Sequence, residues 1–411
     1  MIDLDRLLAR IEHLGQVGAL PGGGCKRLAL SPEDAAGRAL VTAWFRDLGL
    51  EVTTDVIGNT WAIRPGLRDL PPVVMGSHID TVATGGLYDG TLGVLAGLEV
   101  IQSAIEAGIE TDHPLAVAFF TNEEGARFAP DMMGSGVATG ALPLDAMLAS
   151  RGIDDVTVGD ALTSIGARGD APVGALSPAA YLELHIEQGP VLEAEGLQIG
   201  VVTGVQGISW TEFTVKGRSA HAGTTPMPMR RDAGHVAAAI AMEARAIATD
   251  FAPPQLATVG RLSFSPDLVN VVPERATLTV DLRNTDENRL AKAEARLFAF
   301  AEAAARKEGC TLTRRALARF EPVAFDPALV DDIAAEADRL GYSHRRMPSG
   351  AGHDAQMFAP VCPSAMIFVP SRDGISHNTE EYTAPEDLAR GARLLAHVAL
   401  ARAGQTKGPR A

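Results

Sequence analysis

Five residues able to hold a metal ion, His78, Asp89, Glu124, His185 and His377, are scattered from position 78 to position 377, each at or near the end of a predicted element. A chain can bring such residues together only if several strands finish at one place. Parallel strands in an α/β sheet do this, because their carboxyl ends converge on one edge. The pattern therefore predicts an α/β, mixed-sheet domain whose strand ends build one site. Residues 73–76, 115–120 and 181–185 read as short buried strands, and 93–107 reads as a helix.

The segments differ in how much they say alone. His78 lies in GSHIDTV, with Asp80 two residues on. A metal-bound imidazole needs its second nitrogen held by an acceptor, and Asp80 can serve; alone, the pair would read as a surface HxD. Asp89 lies in GGLYDG, where glycines let the backbone bend close to an ion. A carboxylate can bridge two cations, although the segment also suits a plain Asp-Gly turn. Glu123 and Glu124 follow the apolar run 116–120. Adjacent carboxylates there repel unless a bound cation offsets one of them, which leaves the other as a base. A helix N-terminus is the competing reading. His185 in LHIEQG and His377 in SHN would each pass as structural if met singly. Five such residues at five element ends favour a metal site, and histidine with carboxylate donors suits zinc, manganese or cobalt.

The middle of the chain has a different rhythm. Strands at 207–215, 257–263 and 276–283 and one starting at Thr311 alternate with helices at 232–248 and 287–308. This β-α-β-β-α-β order is the ferredoxin-like, split βαβ pattern. It predicts an α+β domain at 208–322 inserted into a discontinuous domain of 1–207 and 323–411. A length of 411 residues agrees with two domains. Helices are expected at 4–14, from the Ser31-Pro32 start to Leu48, at 331–340 and at 385–403, and a hairpin at 51–63. The tail from Gly404 is expected to fray. A formal charge of −15 argues against nucleic-acid or anionic-membrane partners. No run is apolar enough for a membrane span, and residues 1–8 do not read as a signal peptide. Three widely spaced cysteines give neither a disulfide framework nor a thiolate site, which fits a reducing cytoplasm.

The segments GSHIDTV, GGLYDG, TNEEGARF, LHIEQGP, GRSAHAG, VNVVP, DLRN, SGAGHDA and DGISHNTEEYT, in this order, resemble the M20 metal-dependent amidohydrolases. Within them they resemble the hydantoinase/carbamoylase branch. The resemblance implies a di-metal catalytic domain and an inserted lid and dimerisation domain. It implies two divalent ions, one on His78, Asp89 and His185, the other on Asp89, Glu124 and His377, with Glu123 as the base. In M20 peptidases a carboxylate usually stands where this chain has His185, so the histidine argues against a peptidase.

For the substrate, Arg283 can hold a carboxylate through two hydrogen bonds, unless it is simply paired with Asp281 or Asp286. Gln188 and Asn270 are amides suited to a ureido group or a carboxylate. Gly352 offers a backbone N–H, or marks only a tight loop, and His353 lies beside it. By resemblance His221 stabilises the transition-state oxygen. The expected reaction is hydrolysis of the C–N bond of an N-carbamoyl-L-amino acid, releasing amino acid, ammonia and carbon dioxide. The alternatives are an allantoate or ureidoglycolate amidohydrolase of purine catabolism and a β-ureidopropionase, with an M20 dipeptidase or aminoacylase behind them. A homodimer through the insert is implied, with His221 and Asn270 the residues to reach a partner's site. A non-catalytic metal-binding scaffold would have lost Glu123 or a ligand, and neither a P-loop nor a placed GxGxxG is present.

Overall fold

The computed structural model describes residues 2–408, which form two compact units: the chain up to Thr203 together with the chain from Ala324, and Gly204–Val323. In the first unit, four strands lie side by side in the order Leu115–Phe120, Val73–His78, Ala180–Ile186, Ser364–Val369. All three of their pairings are parallel. Antiparallel neighbours, Thr60–Arg64 and Ile199–Val205, flank them, so the sheet is mixed. Every residue of the four parallel strands is buried. That explains their continuous apolar runs, because a parallel strand is covered on both faces. It also places His78, His185 and the exits toward Glu123 and His377 at one edge of the sheet.

Helix Thr91–Glu106 is buried almost all round and packs on the strands carrying His78, His185 and the Glu123 exit. It begins two residues after Asp89, so it carries that residue's loop to the sheet edge. Helix Pro385–Arg402 packs on Thr91–Glu106 and on the Ser364–Val369 strand. Helix Pro32–Asp47 starts as expected, with Ser31 Oγ accepting from Asp34 N at 3.2 Å. The capping box is displaced by one residue, since the Asp34 carboxylate accepts from Leu30 N, not Ser31 N. The tail corrects the expectation of fraying: Gln405–Lys407 pairs with Glu110–Thr111. Residues 409–411 lie outside the described residues. No described helix is long and apolar enough to cross a membrane.

In the second unit the sheet order is Leu256–Ser265, Arg275–Asn284, Gly207–Lys216, Thr311–Phe320, antiparallel throughout. Helices Ala233–Phe251 and Glu287–Lys307 connect it into the split βαβ arrangement. Alternation decides the faces. Along Arg275–Asn284, Ala276, Leu278, Val280 and Leu282 are buried in the core that includes Val236, Ile240 and Leu297. Asp281 and Arg283 therefore lie on the opposite face.

Candidate metal centre

Asp89 is the hub of the first unit's polar cluster. Its Oδ1 lies 3.2 Å from His185 Nε2 and 3.6 Å from His78 Nε2. Its Oδ2 lies 3.3 Å from His377 Nε2, which is 3.2 Å from Glu124 Oε2. Two triads thus share Asp89: His78, Asp89 and His185, and Asp89, Glu124 and His377, with donor atoms within 4.8 Å of one another in each. Two ligands about 2.1 Å from a tetrahedral ion sit roughly 3.4 Å apart. The spacings fit, and one oxygen of Asp89 faces each set. The donor chemistry suits divalent ions such as zinc, manganese or cobalt.

Backbone geometry aims these side chains. His78 Nδ1 donates to the Asp80 carbonyl and His185 Nδ1 to the Ile186 carbonyl, both at 2.9 Å, so each Nε2 turns to the cluster. Gly90 has φ +63°, and a Cβ there would lie 2.3 Å from the His78 ring. Only glycine lets the Asp89 loop come this close. Asn122, Gln188 and His377 all take positive φ, near +55°, at the exits of the site. Such backbone costs free energy and persists where the surroundings enforce it.

The electrostatics match an ion-binding cluster. Burial works against charge on His78, yet Glu123 and Asp89 raise it well above the usual histidine range. His377 is pushed up to about 10 by its hydrogen bonds to Asp89 and Glu124. Burial would raise Asp89, but contacts with the three histidines outweigh it and hold the carboxylate well below its ordinary range. Burial pushes Glu123 well up, against the pull of His78, with Asp354, Glu124 and Asp89 adding to the rise. Burial, followed by the His185 charge, drives His353 well down, so it stays neutral, 2.9 Å from Ser349 Oγ.

A cavity of about 110 Å³ is lined by His78, Asp89, Glu123, Glu124, His185, His377, Gln188, Gly352 and His353, all singled out in the sequence, with Asp131 and Ala351 beside them. Asp80 differs in detail from expectation. Its carbonyl, not its carboxylate, holds His78. The carboxylate accepts from the amides of Glu123 at 3.3 Å and Glu124 at 3.4 Å. Amide groups at a strand exit lack a ladder partner, and the Asp80 carboxylate supplies one. His221, Asn270 and Arg283 belong to the second unit. His221 pairs with Val271, next to Asn270, and its Nδ1 accepts from the amides of Gly223 and Thr224 at 3.0 and 3.2 Å. The Arg283 guanidinium is held by the Asp281 carboxylate through Nε and Nη2, at 2.9 to 3.2 Å.

Three supporting residues went unread in the sequence. Glu381 accepts from the amides of Tyr88 and Asp89 at 3.0 and 3.2 Å. Ser376 Oγ lies 3.0 Å from both Asp89 Oδ2 and Glu381 Oε2. Glu183 accepts from Ser77 Oγ at 2.6 Å and from Ala355 N at 2.8 Å, tying the residues around His78 and His353 to the strand of His185. Glu183 could have been suspected as a carboxylate inside an apolar strand. Glu381 carried no local signal.

Residues 74–401 match the peptidase family M20/M25/M40. The chain is 43% identical to an N-carbamoyl-L-amino-acid amidohydrolase of Rhizobium meliloti, over 97% of this chain and 96% of that one. It is 34% identical to a ureidoglycolate hydrolase of Arabidopsis thaliana, over 96% and 85%. An amidase of the hydantoinase/carbamoylase family from Burkholderia multivorans superposes with a TM-score of 0.95 at 46% identity, over 98% of each chain.

Proposed function

The chain belongs to the peptidase family M20/M25/M40 and, within it, to the hydantoinase/carbamoylase amidases, and from that premise we propose that it hydrolyses N-carbamoyl-L-amino acids to amino acid, ammonia and carbon dioxide. The observation that carries the reading is the pair of donor triads sharing Asp89, with a histidine, His185, in the first triad and Glu123 against the cluster. His78, Asp89 and His185 would hold one divalent ion, zinc, manganese or cobalt, and Asp89, Glu124 and His377 the other. Such ions polarise a carbonyl oxygen and acidify a water.

The chain's own residues perform the remaining steps. Glu123, buried with its Oε2 3.3 Å from His78 Nε2, takes a proton from the attacking water and returns it to the amine that leaves. The bond from the carbamoyl carbon to the amino nitrogen breaks, and the carbamic acid released decomposes to ammonia and carbon dioxide. Because two backbone amides point at Nδ1 of His221, its proton resides on Nε2, where it can donate to the oxygen that gains charge. Arg283, oriented by Asp281, binds the substrate carboxylate, and Asn270 supplies an amide to the same substrate. Gly352 and His353 line the cavity beside Glu123. Since His221, Asn270 and Arg283 lie in the insert, this unit acts as a lid that completes the site, within one chain or across a homodimer. Three buried, unpaired cysteines suit a reducing compartment such as the cytoplasm.

The test is a substrate panel with the ion-loaded protein: N-carbamoyl-L-amino acids, N-carbamoyl-β-alanine, allantoate, ureidoglycolate and a dipeptide, with release of ammonia and amine followed. N-carbamoyl-L-amino acids are expected to give the highest kcat/KM. Preference for allantoate or ureidoglycolate would move the assignment to the ureidoglycolate-type relatives, and preference for the dipeptide would overturn it.

A further inference from the structure

Glu381 is a buried carboxylate, 6% exposed, that the hydrolytic steps leave unused. It stands on the same loop as His377, and its side-chain hydrogen bonds all serve Asp89 or residues touching it. Oε1 accepts from the amides of Tyr88 and Asp89 at 3.0 and 3.2 Å. Oε2 lies 3.0 Å from Ser376 Oγ, which is also 3.0 Å from Asp89 Oδ2. Gly86 makes room for this approach, since a Cβ there would lie 2.1 Å from Glu381 Oε1. Two buried carboxylates separated by one hydroxyl are costly unless positive charge offsets them. The two donor triads also differ in rigidity. His78 and His185 end or lie within buried strands, and a main-chain carbonyl fixes each ring. His377 stands on a loop, with φ +54° and a side chain 52% exposed. Glu381 ties that loop down: its N–H donates to Asn378 O at 3.0 Å, while its carboxylate crosses to the loop of Asp89.

We infer that Glu381 is a positioning residue that holds Asp89 as a bridge between the two triads, and that it thereby governs binding of the ion on Asp89, Glu124 and His377. The clamp acts on both ends of Asp89. It fixes the backbone through two amides, and through Ser376 it keeps Oδ2 on the side of His377. Without it Asp89 is free to turn both oxygens to the first triad, and the loop of His377 loses its tie to the shared ligand. The first ion keeps His78 and His185 in either case. The inference rests on the two-ion reading above and deepens it: the two sites differ in strength, and a carboxylate that touches neither ion sets the difference.

The experiment measures zinc binding to the ion-stripped chain by competition with a chromophoric chelator, in the wild type, Glu381→Ala, Glu381→Gln and Ser376→Ala. The wild type should take up two ions. Glu381→Ala should keep the first at wild-type affinity and weaken the second by about tenfold or more. Glu381→Gln retains an acceptor for the amides of Tyr88 and Asp89, so it should recover part of the loss. With manganese in both sites, paramagnetic resonance should show two coupled ions in the wild type and uncoupled ions in Glu381→Ala. Equal weakening of both ions would mean that Glu381 only supports the fold, and would overturn the inference. A second site of unchanged affinity would overturn it too. Should Glu381→Ala not fold, Ser376→Ala decides, because it cuts the link to Asp89 Oδ2 and leaves both amide contacts. It should weaken the second ion selectively, and full affinity there sinks the idea. A wild type that takes up a single ion would instead bring down the two-ion reading on which the inference stands.

Discussion

Asp89 shows how much one side chain can organise: three histidines, Gln188 and Ser376 all address its two oxygens. Ligand imidazoles must be neutral, yet without ions His78 sits well above the usual range and His377 is near 10. Ion binding at pH 8 should therefore expel protons, and affinity should rise with pH until these groups have lost theirs. Titration calorimetry of zinc binding in two buffers of different ionisation heat should give different apparent enthalpies; identical heats would contradict this. Glu123 has a separate role. Glu123→Gln should lower kcat by about a thousandfold while two ions per chain remain, and retained turnover would remove Glu123 as the base. At this scale the sequence was highly legible. His78, Glu123, Glu124 and His185 follow or end apolar runs, which is a local pattern. Glu381 and Ser376 matter only because the loop holding Asp89 folds onto them, and no local pattern records that.

At the scale of elements, the site depends on helix Thr91–Glu106 meeting the sheet edge correctly. Glu99 on that helix is fully buried and holds Arg6 through both carboxylate oxygens at 2.7 Å, with Arg10 at 3.5 Å and Ser103 at 2.8 Å. The first helix, Leu4–Gly15, is thereby fastened to the helix that follows Asp89. Replacing Glu99 by Gln takes the shared anion from two half-buried arginines, although Arg6 keeps Glu106 at 2.7 Å. Stability should fall by about 2 kcal/mol, read as a lower midpoint in chemical denaturation. The kcat/KM of the folded fraction should hold, since Glu99 touches none of the ligands. A midpoint equal to wild type would show the pair to be dispensable. The helices and strands flanking the site were readable from periodicity and caps, including Ser31 and Pro32. Strand Ile199–Val205 was not, because its glycines and mixed residues take their strand character from pairing with Ser364–Val369.

For the whole molecule, the insert leaves strand Leu256–Ser265 at one edge of its sheet, with Leu256, Leu262 and Phe264 exposed by 51%, 41% and 38%. An uncovered edge with apolar side chains is a ready interface for a second copy. The chain should sediment as a homodimer, and Phe264→Lys should shift it toward monomer; a wild type that remains monomeric and active would count against a shared site. The sequence by itself offered five residues able to bind ions, an adjacent carboxylate pair at the exit of an apolar strand, and a β-α-β-β-α-β segment that interrupts the main domain. These follow from short-range facts: apolar runs, their polar ends and the side-chain period of each element. Only the tertiary structure decided the strand order that gathers the ligands, the transfer of the Asp80 carboxylate from His78 to the amides of Glu123 and Glu124, and the seat of Glu381 against the loop of Asp89. Those depend on which groups meet across tens to hundreds of residues. Buried hydrogen-bond donors and acceptors choose partners by proximity in space, which residue spacing along the chain does not encode.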